Sequence, residues 1–561
     1  MTSSSTSTST LLGAVAVALA TVLFVLSRTR RGSPSRKPLK LPIIGDLHSS
    51  PREKPLLNWD EWARANGPVA ASRLFGIVPM VVLNTSEAAT ELFAKRGARY
   101  NNRPSSVSME MITGSGPGRS RFTLMHDYDA DLKLHHRMLS PSLGAVAAPR
   151  YQPLMELESK QLLVDLLSAT TTTTAAAAAA AATSREGKDD VAVMESTEMH
   201  RLLERTQASV VLGLHYGVRV PSVNDPVFGR IVDVHDKVTH VAANPSLVDF
   251  FPPLRHLPAL LSPWRRAADR LFRSQSELYL FLLCQGMNAP GWNATRQARA
   301  VAAKHHDAGG ARGAAGGVPE MDLAFTLATS VQGGMETAPR QMMWLLVAAH
   351  ANRDFATRAH AVLDKFVGRK RLPRFADRPR LSYVDAVASE VMRWRPVAPG
   401  SIPRRADGED EILGTRIAEG ATVFANAWAI GRDKEVFGEE VGDLGDFVPE
   451  RWLDVDGSMR AGELPLAVFG QGRRSCLGKR VATDNIFMVF ASLLWAFEIV
   501  PVDEVDTMAM DVAGFMTAPS GFRFGIRPRG PWVEEVIRSS WKEAETDLSK
   551  VMGEWSDIDT R

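Results

Sequence analysis

The chain has 561 residues, 45% of them hydrophobic, and a formal net charge of only +3. That is enough apolar material for a large core, and nothing in the charge balance calls for a nucleic-acid partner. Two cysteines, Cys284 and Cys476, exclude a disulfide framework and suit a body held in a reducing compartment.

Residues 11–26 carry no charge and are followed at once by Arg28, Arg30, Arg31, Arg36, Lys37 and Lys40. At about 1.5 Å rise per residue such a run approaches the thickness of a bilayer. Positive charge after the run, rather than before it, marks an anchor instead of a cleaved signal and sets the basic side in the cytosol. The expected organisation is a lumenal tail over 1–10, a single transmembrane anchor over 11–27 and a basic, proline-rich hinge over 28–45. A catalytic domain follows over 46–530, then a C-terminal extension over 531–561 to which the sequence assigns no role. The body then lies on the cytosolic side of the membrane. Sequons at Asn84 and Asn293 then face the cytosol, and a sugar on Asn293 would mark the inverted topology.

Within the body, residues 71–83 hold two β-rich runs around Gly76, a hairpin signal. Thr85-Ser86-Glu87 has the chemistry of a helix start. From about 150 onward helical periodicity dominates, as in Leu154, Leu157, Leu162, Leu163, Leu166 and Leu167. Residues 169–190, with a Thr/Ala run, and 305–318, rich in Gly and Ala, read as flexible insertions.

The pattern that carries chemistry is Phe469-Gly-Gln-Gly472-Arg-Arg474-Ser-Cys476-Leu-Gly478. A cysteine thiolate is a strong donor to haem iron and favours O–O cleavage. Glycines at 472 and 478 let the backbone curl round the sulfur. Arg474 can pair with a haem propionate, and Phe469 can cover the sulfur. The helix expected from Lys479 points its N-terminal dipole at the thiolate. The competing reading, a buried cysteine in a glycine-rich turn, does not account for five residues at fixed spacing.

With this loop the sequence resembles the cytochrome P-450 family of haem-thiolate monooxygenases, over about 38–530 and in the style of fungal microsomal members. The resemblance implies a mainly α fold with small β-sheets, and haem b held between a long distal helix and the cysteine loop. Glu390-Val-Met-Arg393 matches the family's E-x-x-R, and Arg451 in Phe447-Val-Pro-Glu-Arg-Trp its later arginine motif. By resemblance the three form a buried charge network. Gly333-Gly-Met-Glu336-Thr337 matches the distal motif. There the two glycines are expected to leave room for dioxygen, Thr337 to hydrogen-bond it and Glu336 to relay protons. Pro339 is expected to kink this helix or shift its register. Arg404 falls where the family often places a propionate ligand.

One motif departs from the family pattern. Leu132 and His136 stand where tryptophan and arginine are usual, so Lys133, His136 or Arg137 would have to supply a propionate contact. The function implied is insertion of one atom of O2 into a small apolar organic substrate, in secondary metabolism or detoxification. Electrons would come from NADPH through a separate reductase docked near Arg473, Lys479 or Arg480. Met109, Met111, Phe122, Val331 and Phe515 are the expected substrate contacts. The alternatives are a haem-thiolate dehydratase or isomerase needing no O2, and a non-catalytic haem- or ligand-binding membrane protein.

Overall fold

The computed structural model of the chain describes residues 61–555, apart from 62, 75–77, 117–119, 181–190, 308–317 and 463. The expected anchor, hinge and lumenal tail lie outside the described residues, as do residues 181–190 of the first insertion and 308–317 of the second. Among the described residues no helix is long and apolar enough to cross a membrane.

The principal helices are α1 (Val107–Ile112), α2 (Ala130–Leu143), α3 (Ala148–Ala180), α4 (Ser196–Tyr216), α5 (Pro226–Ala243), α6 (Leu247–Phe250) and α7 (Pro263–Asn288). They continue with α8 (Ala294–Asp307), α9 (Glu320–Ala351), α10 (Asp354–Phe366), α11 (Ser382–Trp394), α12 (Lys479–Ala496), α13 (Trp532–Lys542) and α14 (Leu548–Met552). The strands are β1 (Val69–Leu74), β2 (Val78–Leu83), β3 (Ala192–Glu195), β4 (Arg404–Arg405), β5 (Asp410–Ile412), β6 (Thr415–Ile417), β7 (Thr422–Ala425), β8 (Phe497–Pro501), β9 (Met510–Ala513), β10 (Met516–Pro519) and β11 (Arg523–Pro528).

The hairpin expected over 71–83 is present: β1 and β2 pair antiparallel with Val69 opposite Leu83. β7 adds in parallel to β2, and β4 pairs antiparallel with β7, placing Arg404 opposite Val423. Side chains alternate across a strand, so Arg404 points inward and is buried while Arg405 stays half-exposed. The helix start at Thr85 also holds, its hydroxyl accepting from Ala88 N at 3.3 Å.

The core is helical. From Asp484 to Ala496 every residue of α12 is buried, the mark of a helix enclosed on all sides. α3, α4, α9 and α11 pack around it and contribute to one continuous apolar cluster. Burying side chains such as Phe487 and Trp495 stabilises by roughly 2–3 kcal/mol each. α9 begins with Glu320 and Asp322 and ends near His350, charges that suit its dipole. It runs through Pro339 as one element, in the register that places Glu336 and Thr337 on it. The Thr/Ala run continues α3 as far as Ala180, so that part of the first insertion is helical.

The C-terminal extension is part of the fold. Val533 and Ile537 on α13, and Leu548 and Met552 on α14, are buried. Trp292 N donates to Gly553 O at 2.9 Å, and Gly291 is needed because a Cβ there would lie 2.7 Å from Ser549 Cα. Both sequon asparagines are buried in the folded chain. Asn84 Nδ2 donates to Gly67 O at 2.8 Å, and its Oδ1 accepts from Asn426 Nδ2 at 3.0 Å. Asn293 Nδ2 donates to Gly286 O at 2.9 Å, and its Oδ1 accepts from Arg296 N at 3.1 Å.

Candidate active site

The cysteine loop is shaped by positive-φ glycines. Gly470 (φ 66°) and Gly472 (φ 64°) lie in the left-handed region, and a Cβ on Gly472 would collide with the Phe93 carbonyl oxygen. The loop closes with Cys476 N donating to Phe469 O at 2.8 Å. Cys476 lies deep enough that burial pushes its thiol up, and the Gly478 and Lys479 amides, hydrogen-bonded to it, pull the other way. The residue nevertheless keeps accessible surface. A Cβ on Gly478 would stand 3.8 Å from that sulfur.

Beside the loop lie three guanidinium groups from three parts of the chain. Arg474 Nε donates to Asn101 O at 2.6 Å, and its Nη2 to His126 O. Arg404 donates to Gln471 O at 2.5 Å and sits 3.9 Å from the Phe93 ring centre. Arg103, wholly enclosed, donates to Leu124 O at 3.0 Å, Ile402 O at 2.9 Å and Pro403 O at 2.7 Å. Among the described residues none of the three makes an ion pair with a carboxylate. Burial, with mutual repulsion, lowers Arg404 to about 9 and Arg103 well below the arginine range. Burial lowers Arg474 to about 10, with Asp127 and Asp129 opposing. Buried cations without anions are expensive, so the cluster calls for an external anion. An accessible sulfur donor beside clustered guanidinium groups fits a haem with its two propionates.

Of the expected propionate contacts, Arg404 and Arg474 meet here. His136 is half-buried near Arg474, and burial followed by that arginine lowers its pKa. Lys133 is exposed, its ammonium 5.2 Å from the Tyr128 ring centre, and Leu132 is core. Arg103 escaped sequence reasoning. Its only signal is Asn102-Arg103-Pro104, where the residue before proline is held extended.

On the distal side, a Cβ on Gly333 would meet nothing within 4 Å, as expected of a residue lining open space. Gly334 has a different job: a Cβ there would lie 2.7 Å from Val211 Cγ1, so it permits close packing of α4 on α9. Thr337 Oγ1 donates to Gly333 O at 2.6 Å. Glu336 accepts from Thr239 and Gln332, and burial pushes its carboxyl up. Met109, Phe122 and Val331 belong to the main core with Met111 packed on it, whereas Phe515 joins a separate small cluster with Val397, Ala398 and Met516.

Glu390, Arg393 and Arg451 do meet, all fully buried. Glu390 takes two hydrogen bonds from Arg393, each 2.7 Å, and one from Trp452 Nε1 at 2.9 Å. Arg451 Nε lies 3.4 Å from Glu390, and Val448 N donates to it at 2.9 Å. Arg393 also holds the carbonyls of Gly431, Leu444 and Asp446, so one residue pair pins the long segment leading to the cysteine loop.

A family model, cytochrome P450, matches residues 34–526. The chain belongs to the cytochrome P450 family. P450 monooxygenase aneD of Aspergillus aculeatus is 30% identical over 97% of both chains. The echilunin cytochrome P450 monooxygenase of Aspergillus ruber is 30% identical over 94% of this chain and 91% of its own, and P450 monooxygenase 69 of Postia placenta 29% over 96% and 98%. The mainly helical architecture with small sheets is that of a P450. As a P450 the protein is an oxidoreductase that uses haem iron and takes electrons from a separate redox partner.

Proposed function

We propose that this P450 is a membrane-bound, NADPH-reductase-fed monooxygenase that inserts one atom of O2 into a small apolar organic substrate in fungal secondary metabolism. The observation that carries the reading is the accessible Cys476 beside the buried Arg103 and Arg404 and the half-buried Arg474, none of them ion-paired among the described residues. Thiolate-ligated haem supplies the dioxygen-activating chemistry when bound. Arg103, Arg404 and Arg474 would hold its propionates, with His136 at the edge. The amides of Gly478 and Lys479 favour the charged form of Cys476. Thr337 holds a hydroxyl beside the open space at Gly333, and the Glu336 carboxyl, one residue away, would relay protons. Glu390, Arg393 and Arg451 keep the proximal loop in place.

Membrane attachment is supported by the uncharged run at 11–26 and by an apolar surface between α5 and α7. Leu247, Phe251, Leu260 and Leu261 there are 61–83% exposed, with Arg265 and Arg266 beside them. Exposed Arg473, Lys479 and Arg480 would face the reductase, although Arg480 already pairs with Asp484 at 3.0 Å.

The test is ligand-induced change in the ferric Soret band across a panel of apolar fungal metabolites, followed by NADPH-dependent incorporation of labelled oxygen from O2. Spectral binding with incorporation supports the reading. Turnover without NADPH and O2 would point instead to isomerase or dehydratase chemistry. Alkaline carbonate extraction of the full chain, against one starting at residue 46, tests the anchor: both forms in the soluble fraction would refute it.

A further inference from the structure

The distal acid is held by a side chain outside the family motif. Thr239 on α5 places its hydroxyl 2.9 Å from Glu336 Oε1 and 2.7 Å from Oε2. Gln332 Nε2, one turn earlier on α9, adds a bond to Oε1 at 3.2 Å. Thr337 takes no part, since its hydroxyl is committed to the Gly333 carbonyl. Glu336 is a flexible side chain, so a donor on a second helix decides which way its carboxylate points. That donor also ties the acid to the seating of α5 on α9.

We propose that Thr239 is a positioning residue for the distal acid: its hydroxyl holds the Glu336 carboxylate on the α5 side of α9. The inference rests on the reading of Glu336 as the proton relay. The surroundings make the hydroxyl consequential. Burial raises the Glu336 carboxyl, while the Thr239 and Gln332 donors and Arg340 oppose it. Asp236 from α5, Glu204 from α4 and Tyr279 from α7 complete the titratable groups facing it. Without the Thr239 hydroxyl, burial is less opposed and the acid keeps its proton to higher pH.

The experiment is a pH series of infrared difference spectra on ferric holoenzyme, following the carboxylic C=O band that disappears in Glu336→Gln. In Thr239→Val the band's midpoint moves up by about one pH unit, the size expected for one lost charge-assisted hydrogen bond. Thr239→Ser, which keeps the hydroxyl, returns the midpoint to the original value. An unshifted band in Thr239→Val, or an equal shift in Thr239→Ser, overturns the proposal. NADPH-driven oxygen consumption with purified reductase is measured alongside, and slows by about tenfold or more in Glu336→Gln if that residue relays protons. Unchanged consumption there removes the relay reading; slowed consumption with an unshifted Thr239→Val band removes the positioning role alone.

Discussion

Replacing Glu390 with glutamine separates a buried charge network from the many ion pairs on the surface. Glu390, Arg393 and Arg451 have fully buried side chains. The carboxylate accepts from Arg393, Arg451, Trp452 Nε1 and Val448 N, so two buried guanidinium groups share it. Glutamine keeps the shape, removes the negative charge and turns an NH2 toward donors. Breaking a buried pair from one side costs about 3–5 kcal/mol, because the remaining charge stays desolvated. Arg451 is already strained in this respect: its Nη1 is buried without a partner, and burial lowers its pKa. The control is Glu534→Gln on α13, whose 2.8 Å pair with Arg538 is more than half exposed on both sides and worth no more than about 1 kcal/mol. Urea unfolding followed by tryptophan fluorescence, with haem retention read from the Soret band, compares the two. A loss below about 1 kcal/mol in Glu390→Gln, or equal losses in both variants, would refute the argument.

Arg103→Leu removes one of three guanidinium groups from the propionate cluster, and haem transfer to a scavenging globin should quicken by roughly tenfold or more; an unchanged rate would place Arg103 outside the haem site. Burial raises the Glu204 carboxyl to about 7 from 4.5, so its contribution to stability is full below pH 4.5 and is lost as pH rises through about 7. Glu204→Gln should flatten the fall in unfolding midpoint across that window, and parallel curves for the two proteins would contradict the assignment. Ending the chain at Arg529 removes four buried apolar side chains, Val533, Ile537, Leu548 and Met552, and should cost at least about 3 kcal/mol in the same urea assay. A loss under roughly 1 kcal/mol would mean that the extension rests on the body without supporting it.

The cysteine loop was legible because haem-thiolate chemistry needs particular residues at short, fixed spacing, and Gly472, Arg474, Cys476 and Gly478 lie within one turn-rich loop. Glu390 and Arg393 could be paired by helix geometry, and Arg451 followed from its motif. What stayed hidden depends on contacts between distant segments. Arg103 looks like any surface arginine until residues 402–403 close over it. Gly334 serves helix packing against Val211 and leaves Gly333 alone facing open space. Thr239 has no motif of its own, since its importance comes from where α5 lands on α9. Pro339 lies inside α9, which continues through it as one element. The C-terminal extension gave only amphipathic spacing, which cannot say what it covers.

The most direct measurement is the carbon monoxide difference spectrum of the reduced, haem-loaded protein, taken on the unaltered chain, Cys476→Ser and Cys284→Ser. The unaltered chain and Cys284→Ser should show the red-shifted Soret band of a thiolate-ligated haem, and Cys476→Ser should lose it. The same band persisting in Cys476→Ser would show that another group ligates the iron.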